Sequence, residues 1–148
     1  MNTWAANATK LSARSKARKR AFDAIFAADI RKVSPDTLLD QTHEQVADRQ
    51  NQDEIFSYAE EIVTGVIEHH EEIDDLLETY SEGWSIDRMP NVDRAILRVA
   101  IWEILYSDTP DAVAVNEAVE LAKEYSTEES GGFINGLLSR VAGTRNAL

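Results

Sequence analysis

The stretch VDRAILRVAIWEIL, residues 92–105, decides the fold class of this 148-residue chain. Apolar side chains fill most of its positions, and the polar ones are confined to Asp93, Arg94, Arg98 and Glu103. A helix that is apolar nearly all round is buried among other elements. We therefore predict a central helix over residues 92–106.

Helical spacing of apolar residues recurs on both sides of this segment. It predicts helices over residues 13–31, 36–45, 53–70 with a further turn or two to Tyr80, 113–125, and from about Ser130 onward. Gly65 interrupts a helix interior, and we expect close approach of another helix there. The pattern predicts an all-α bundle of six or seven helices. Residues 1–12 are predicted to be a mobile N-terminal extension, followed by a single helical domain over residues 13–148.

Composition excludes several classes of protein. The chain has no cysteine, which rules out disulfide scaffolds, thiolate zinc sites and cysteine nucleophiles. Its longest unbroken apolar run has five residues, at 24–28, whereas a membrane span needs about 20. The first ten residues also lack the apolar core of a signal peptide. We expect a cytoplasmic protein.

Charge is distributed unevenly along the chain. The net charge is −12, yet residues 1–32 carry eight basic and two acidic side chains, and the other 116 residues carry 7 basic and 25 acidic. Residues 1–32 thus have a net charge of +6 and the remainder a net charge of −18. Such a division is typical of a chain whose basic segment binds an anionic partner.

The basic segment is concentrated in KLSARSKARKR, residues 10–20. Six cations lie there without an acid: Lys10, Arg14, Lys16, Arg18, Lys19 and Arg20. Cations at a helix start oppose the helix dipole, so this pattern favours an anionic partner such as RNA or DNA. The alternative is a solubilising tail that docks on the chain's own acidic body. If four to six phosphates were neutralised, affinity for single-stranded RNA would fall with salt at a log–log slope of roughly −3 to −4.

Metal, cofactor and catalytic sites are not expected. Acids and two histidines crowd residues 60–75, but His69 and His70 are neighbours and diverge by roughly 100° around a helix, so they do not face one ion. His43 lies in a polar segment, and neither a Gly-rich phosphate loop nor a serine nucleophile elbow is present. An acid-rich solvated helix face explains the stretch.

The segment STEESGG, residues 126–132, is compatible with two interpretations. Ser126 and Glu129 have the spacing of a capping box, and Ser130 is a second candidate cap. Alternatively, exposed amides beside Gly131 and Gly132 contact an anion or a base. We interpret Trp84 and Trp102 as core or loop anchors rather than base-stacking platforms.

Several blocks together resemble a known family. VDRAILRVAIWEIL at 92–105, VAVNEAVELAKEY at 113–125 and ESGGFING at 129–136 are similar, in order and spacing, to the NusB family of bacterial transcription antitermination proteins. KARKRAFDAIF at 16–26 and VTGVIEH at 63–69 extend the resemblance to about residues 14–142.

The resemblance implies an all-helical RNA-binding protein of two small helical subdomains. Such a protein binds the boxA element of ribosomal RNA leader transcripts with a ribosomal small-subunit protein, NusE, and joins an antitermination complex on RNA polymerase. It is a scaffold and not an enzyme. RNA contact is implied for Arg14, Lys16, Arg18, Lys19, Arg20, Phe26, Glu129, Ser130 and Phe133.

Contact with the protein partner is implied for Asp93 and, with it, Asp87. Two departures from the family pattern stand out. Phe26 occupies a position where the family often has Tyr, and Gly131 and Gly132 lie where the family commonly has a Lys.

Two other interpretations assume the same fold but assign a different function. Some ribosomal RNA cytosine methyltransferases carry a NusB-like N-terminal domain, although no strand–helix repeat or Gly-rich cofactor loop follows here. Alternatively, the chain is a homodimeric helical module whose RNA face is buried until the partner arrives.

Overall fold

The computed structural model describes residues 3–82 and 84–147, with side chains for 13–82 and 84–144. These residues form seven α-helices and one short 3₁₀ turn, Ile86–Arg88, and contain no strand. The helices are α1 (Thr3–Arg31), α2 (Pro35–Val46), α3 (Gln52–Glu68), α4 (His70–Tyr80), α5 (Asn91–Tyr106), α6 (Asp111–Tyr125) and α7 (Glu128–Ala147). The all-α prediction is confirmed.

Helix α1 begins earlier than the sequence predicts. It starts at Thr3 rather than near Ala13, and so includes most of the segment assigned to an extension. Alanines at positions 5, 6 and 8 have high helix propensity. The polar residues around them remove the apolar periodicity from which a helix is predicted. The mobility of residues 1–12 stays a prediction, since their side chains lie outside the described ones.

A break separates α3 from α4, where the sequence predicts a continuous helix. His69 has φ −108° and ψ 22°, outside the helical region, and its ring stacks on Tyr106 with centroids 3.7 Å apart. No glycine or proline occupies the junction. The break therefore could not be found from local signals.

Contacts divide the chain into two compact units, Met1–Thr64 and Gly65–Leu148, with the boundary inside α3. In the first unit α1 packs against α2. Ala17 and Ala21 of α1 are fully buried, and their small side chains allow close packing. His43 of α2 stacks on Phe56 of α3, with ring centroids 4.1 Å apart.

Helix α5 is the centre of the second unit, as its composition predicts. It contacts α4, α6 and α7. Its fully buried large apolar side chains are Ile96, Leu97, Ile101 and Ile104. The polar positions are paired: Arg98 Nε and Nη2 each donate to Asp74 at 3.0 Å, and Glu103 accepts from Thr109 Oγ1 at 3.1 Å. These contacts satisfy polar groups that would be costly to bury alone.

Gly65 lies directly against the indole of Trp102. A Cβ atom at this glycine would overlap the indole ring, and Trp102 is only 5% exposed. The predicted close approach of another helix is therefore confirmed. In the described part of the chain, no helix is both long and apolar enough to cross a membrane.

Candidate nucleic-acid interface

The cations of α1 fall into two groups. Arg14 and Arg18 point toward Tyr58 of α3, with their guanidinium carbons 4.0 and 5.8 Å from the centre of its ring. Cation–π contacts of this kind hold a guanidinium in place. Arg14 remains exposed, but Arg18 is only 3% exposed. Arg18 is therefore covered by its own chain, and direct phosphate contact, as the resemblance implies, would require it to move.

Lys16 and Lys19 form the outward part of the run. Both are exposed, and their spacing of three residues places them on one side of α1. Arg20 is half-buried, and its Nη1 donates to Gln52 Oε1 at 2.6 Å. Burial and then the charge of Arg49 lower the pKa of Arg20, while Asp23 raises it. The exposed cations of the described run are therefore Arg14, Lys16 and Lys19.

A cleft of about 260 Å³ lies beside Arg14. It is lined by Ala13, Arg14, Glu54, Ser57, Tyr58 and Glu61. Glu54 and Glu61 are exposed, and their carboxylates repel a phosphate group. Phosphate contact is therefore more favourable on the lysine side of α1 than in this cleft.

Phe26 lies one turn after Phe22 on the same helix. The two rings stack with centroids 5.9 Å apart and an interplanar angle of 20°. Phe22 is buried and Phe26 half-buried. Part of the Phe26 ring is consequently available for contact with a base.

The second group of predicted RNA-facing residues lies at the start of α7. Glu129 is exposed, and Ser130 and Phe133 are half-buried. The helix begins at Glu128, and its cap is Thr127, whose Oγ1 accepts from the backbone N of Ser130 at 3.1 Å. The predicted caps, Ser126 and Ser130, are wrong because both hydroxyls are engaged elsewhere.

Those hydroxyls hold Asp93. Ser126 Oγ and Ser130 Oγ lie 2.8 Å from Asp93 Oδ1 and Oδ2, respectively, and donate to them. Asp93 is 1% exposed. Its carboxylate therefore joins α5 to the start of α7 and does not present itself to a partner. Asp87, in the 3₁₀ turn, is exposed.

The two tryptophans of the second unit differ. Trp102 is a core residue, as predicted. Trp84 is 48% exposed and lies outside the helices, so of the two interpretations it is a loop residue and not a core residue. It lies against Phe133, with ring centroids 5.3 Å apart. The polar surroundings of Trp84, SEGWSIDR, were the signal in the sequence that could have indicated exposure.

The acid-rich stretch forms pairs within the chain. His70 Nε2 lies 3.1 Å from Asp74 Oδ2, and Tyr106 donates to Glu72. Burial, followed by the hydrogen bond and charge of Glu72, raises the pKa of Tyr106 to about 12. Among the described residues no group of His, Cys, Asp or Glu is arranged to hold a metal ion.

The sequence matches a known family. A model of the NusB family matches residues 15–143 of this chain. The chain belongs to the NusB family. It is 51% identical over 133 residues to the transcription antitermination protein NusB of Leifsonia xyli subsp. xyli, a match that covers 89% of this chain and 92% of that relative. The NusB of Pseudarthrobacter chlorophenolicus is 53% identical over 133 residues, covering 88% and 93%.

Solved structures of the NusB family show the same fold. NusB from T. maritima superposes with a TM-score of 0.79 at 36% identity, covering 88% of this chain and 90% of that one. A chain from a structure of the antitermination factors NusB and NusE in complex with double-stranded RNA has a TM-score of 0.79 at 31% identity, covering 90% and 98%.

Proposed function

We propose that this chain is a transcription antitermination factor that binds the boxA element of ribosomal RNA leader transcripts together with NusE. In this role it joins the antitermination complex on RNA polymerase and promotes processive transcription of ribosomal RNA. It acts as a scaffold in the cytoplasm and catalyses no reaction. The named NusB relatives and the NusB–NusE–RNA structure support this role.

The observation that carries the proposal is the exposed cations of α1. Arg14, Lys16 and Lys19 reach solvent within a run that contains no acid. Elsewhere the chain repels a polyanion: residues 65–148 carry 17 acidic and 6 basic side chains, a net charge of −11. Phosphate binding is therefore confined to a few places, of which the run on α1 is the strongest.

The acidic second unit suits a basic ribosomal protein. Complementary charge guides the encounter of two proteins and excludes wrong partners. Asp87 is exposed on the 3₁₀ turn and is the predicted partner contact that remains available. Asp87→Lys should weaken binding of NusE while leaving RNA binding by the isolated chain unchanged.

The direct test measures affinity for a single-stranded boxA RNA and for a scrambled RNA of the same composition, each with and without NusE. We expect selective binding to boxA that tightens when NusE is present. Equal, weak binding to both RNAs under both conditions would contradict the proposal.

A pair of variants tests the α1 surface. Lys16→Ala with Lys19→Ala should weaken RNA binding and flatten its salt dependence, since each phosphate contact contributes about 0.7 to the log–log slope. The matched control is Lys32→Ala with Lys123→Ala, which removes two exposed lysines outside the run. Equal effects of the two double variants would mean that net charge alone, and not this surface, governs binding.

A role as the RNA-binding domain of a cytosine methyltransferase is not favoured. The two relatives named above are antitermination proteins, aligned over 92% and 93% of their own lengths.

A further inference from the structure

We infer that Trp84 and Phe133 together form a stacking site for an unpaired base of single-stranded RNA. This inference rests on the proposed function and adds a residue, Trp84, to the RNA-binding surface. Aromatic faces bind bases of single strands irrespective of sequence, because every base has a π-face.

The two rings form one small aromatic surface. Their centroids are 5.3 Å apart and their planes are inclined by 38°. Trp84 is 48% exposed and Phe133 is half-buried beneath it. Nearly half of the Trp84 surface is thus open to solvent beside a second aromatic ring, which provides area on which a base can stack.

The backbone of Trp84 is held in place. Ser81, only 2% exposed, donates its hydroxyl to the Trp84 carbonyl and lies 3.2 Å from the Glu78 carbonyl oxygen. The Trp84 backbone N in turn donates to the Ser81 carbonyl at 3.4 Å. The backbone of Trp84 is therefore anchored to Ser81 at the end of α4, which lowers the entropy lost on binding.

A cation flanks the aromatic surface. Phe133, Gly136 and Arg140 follow one face of α7 at spacings of three and four residues. Arg140 Nη1 lies 3.5 Å from the position that a Cβ of Gly136 would occupy, so the guanidinium folds back along α7 toward Phe133.

The two contacts of Arg140 are compatible with binding of a phosphate. Its Nη2 donates to the Tyr80 carbonyl at 2.9 Å, which fixes its position. Its Nη1 pairs with Glu82 Oε1 at 3.2 Å, and the Glu82 side chain is 73% exposed. A surface ion pair of this kind contributes little to stability. A phosphate of a stacked nucleotide can therefore replace the Glu82 carboxylate at low cost.

The size of the apolar surface favours a base over a protein. Within the described part of residues 65–148, the exposed large apolar side chains are Trp84 and Ile67. A stable protein interface buries about 800 Å² on each partner around an apolar centre. One exposed indole beside a half-buried phenyl matches the dimensions of one base instead.

The test uses the full chain and single-stranded boxA RNAs in which 2-aminopurine replaces one purine at a time. Stacking on an aromatic ring quenches this fluorescent base, so the RNA reports both affinity and stacking. Trp84→Leu keeps an apolar side chain over Phe133 but removes the π-face. We expect it to weaken binding by roughly 5-fold or more and to abolish quenching at one position. The salt slope should change by no more than the one phosphate contact of Arg140, about 0.7, because the variant removes no cation.

Two further variants complete the design. Trp84→Phe should retain most of the affinity and the quenching, because it restores an aromatic face. Ile67→Ala removes a comparably exposed apolar side chain, 42% exposed, and should have no effect. Circular dichroism and thermal unfolding of each variant separate a loss of folding from a loss of stacking.

Three outcomes would overturn the inference. If Trp84→Leu and Trp84→Phe bind like the wild type while the Lys16 and Lys19 double variant weakens binding, the proposed function stands and the stacking site fails. If Trp84→Leu weakens NusE binding but not RNA binding, the surface is a protein contact. If the wild type binds none of these RNAs, the proposed function fails as well.

Discussion

At the scale of a single residue, Asp93 has a structural role inside the protein that its position in the sequence does not indicate. It is an acidic residue in the first turn of α5, where a charge favours the helix dipole and an exposed position is expected. The structure buries it and gives it two serine donors. Asp93 therefore connects α5 to the start of α7 and does not face solvent.

Removing that carboxylate should destabilise the protein. We expect Asp93→Ala to lower the free energy of unfolding by about 1.5–3 kcal/mol, because Ser126 and Ser130 lose a charged acceptor. Asp93→Asn should cost less, since the amide oxygen still accepts. Urea unfolding monitored by circular dichroism measures both. Asp87→Ala, at an exposed position, is the control and should change stability by less than about 0.5 kcal/mol; similar losses at both positions would contradict the internal role.

The cations of α1 show where prediction from sequence ends at this scale. Their identity and number follow from residues 10–20, but their directions depend on Tyr58, 40 residues further along the chain than Arg18. Arg14 and Arg18 both lie over Tyr58, but only Arg18 is buried, and Arg14, Lys16 and Lys19 stay exposed. Helical periodicity groups the residues into faces, and only tertiary packing determines which face is covered.

At the scale of an element, the start of α7 carries two glycines in its first turns. Gly131 is buried and Gly132 exposed, and a Cβ at either position would meet nothing within 4 Å. Glycine in a helix costs about 1 kcal/mol relative to alanine. This helix is consequently less stable than its length suggests, and its backbone is open to solvent at Gly132.

Gly132→Lys should strengthen RNA binding. The side chain fits without a clash, and one added phosphate contact steepens the log–log salt slope by about 0.7. Gly132→Ala is the matched control: it should raise the unfolding temperature as the lysine does, because both residues favour helix over glycine, but leave the salt slope unchanged. Filter binding at three salt concentrations, together with thermal unfolding, distinguishes charge from helix propensity. A steeper slope for the alanine variant, or none for the lysine variant, would contradict contact between this part of α7 and RNA.

Most element boundaries could be predicted, and the exceptions have a physical cause. Pro35, Pro90 and Pro110 lie at helix starts, where the missing N–H costs nothing, and the predictions there agree with the structure to within about two residues. The break at His69 has no such residue. A ring contact with Tyr106, distant in sequence, accompanies it, and no local pattern encodes such a contact.

At the scale of the whole molecule, charge decides how many phosphates can be held. Sequence alone predicts four to six contacts, but Arg18 is covered and Arg20 is engaged with Gln52. We therefore expect about three or four contacts, and a log–log salt slope for single-stranded RNA of roughly −2 to −3. Titrations of the isolated chain at increasing potassium chloride measure it. A slope steeper than about −4 would show that Arg18 and Arg20 leave their intramolecular partners when RNA binds.

The contact between Gly65 and Trp102 has a consequence for evolution. Neither residue is free to change alone: a methyl group at position 65 meets the indole, and a smaller side chain at position 102 leaves a void. Lineages of the family should therefore carry either this pair or a jointly altered one, with a larger residue at 65 accompanied by a smaller one at 102. Substitution histories at the two positions should be correlated, even though 37 positions of sequence separate them.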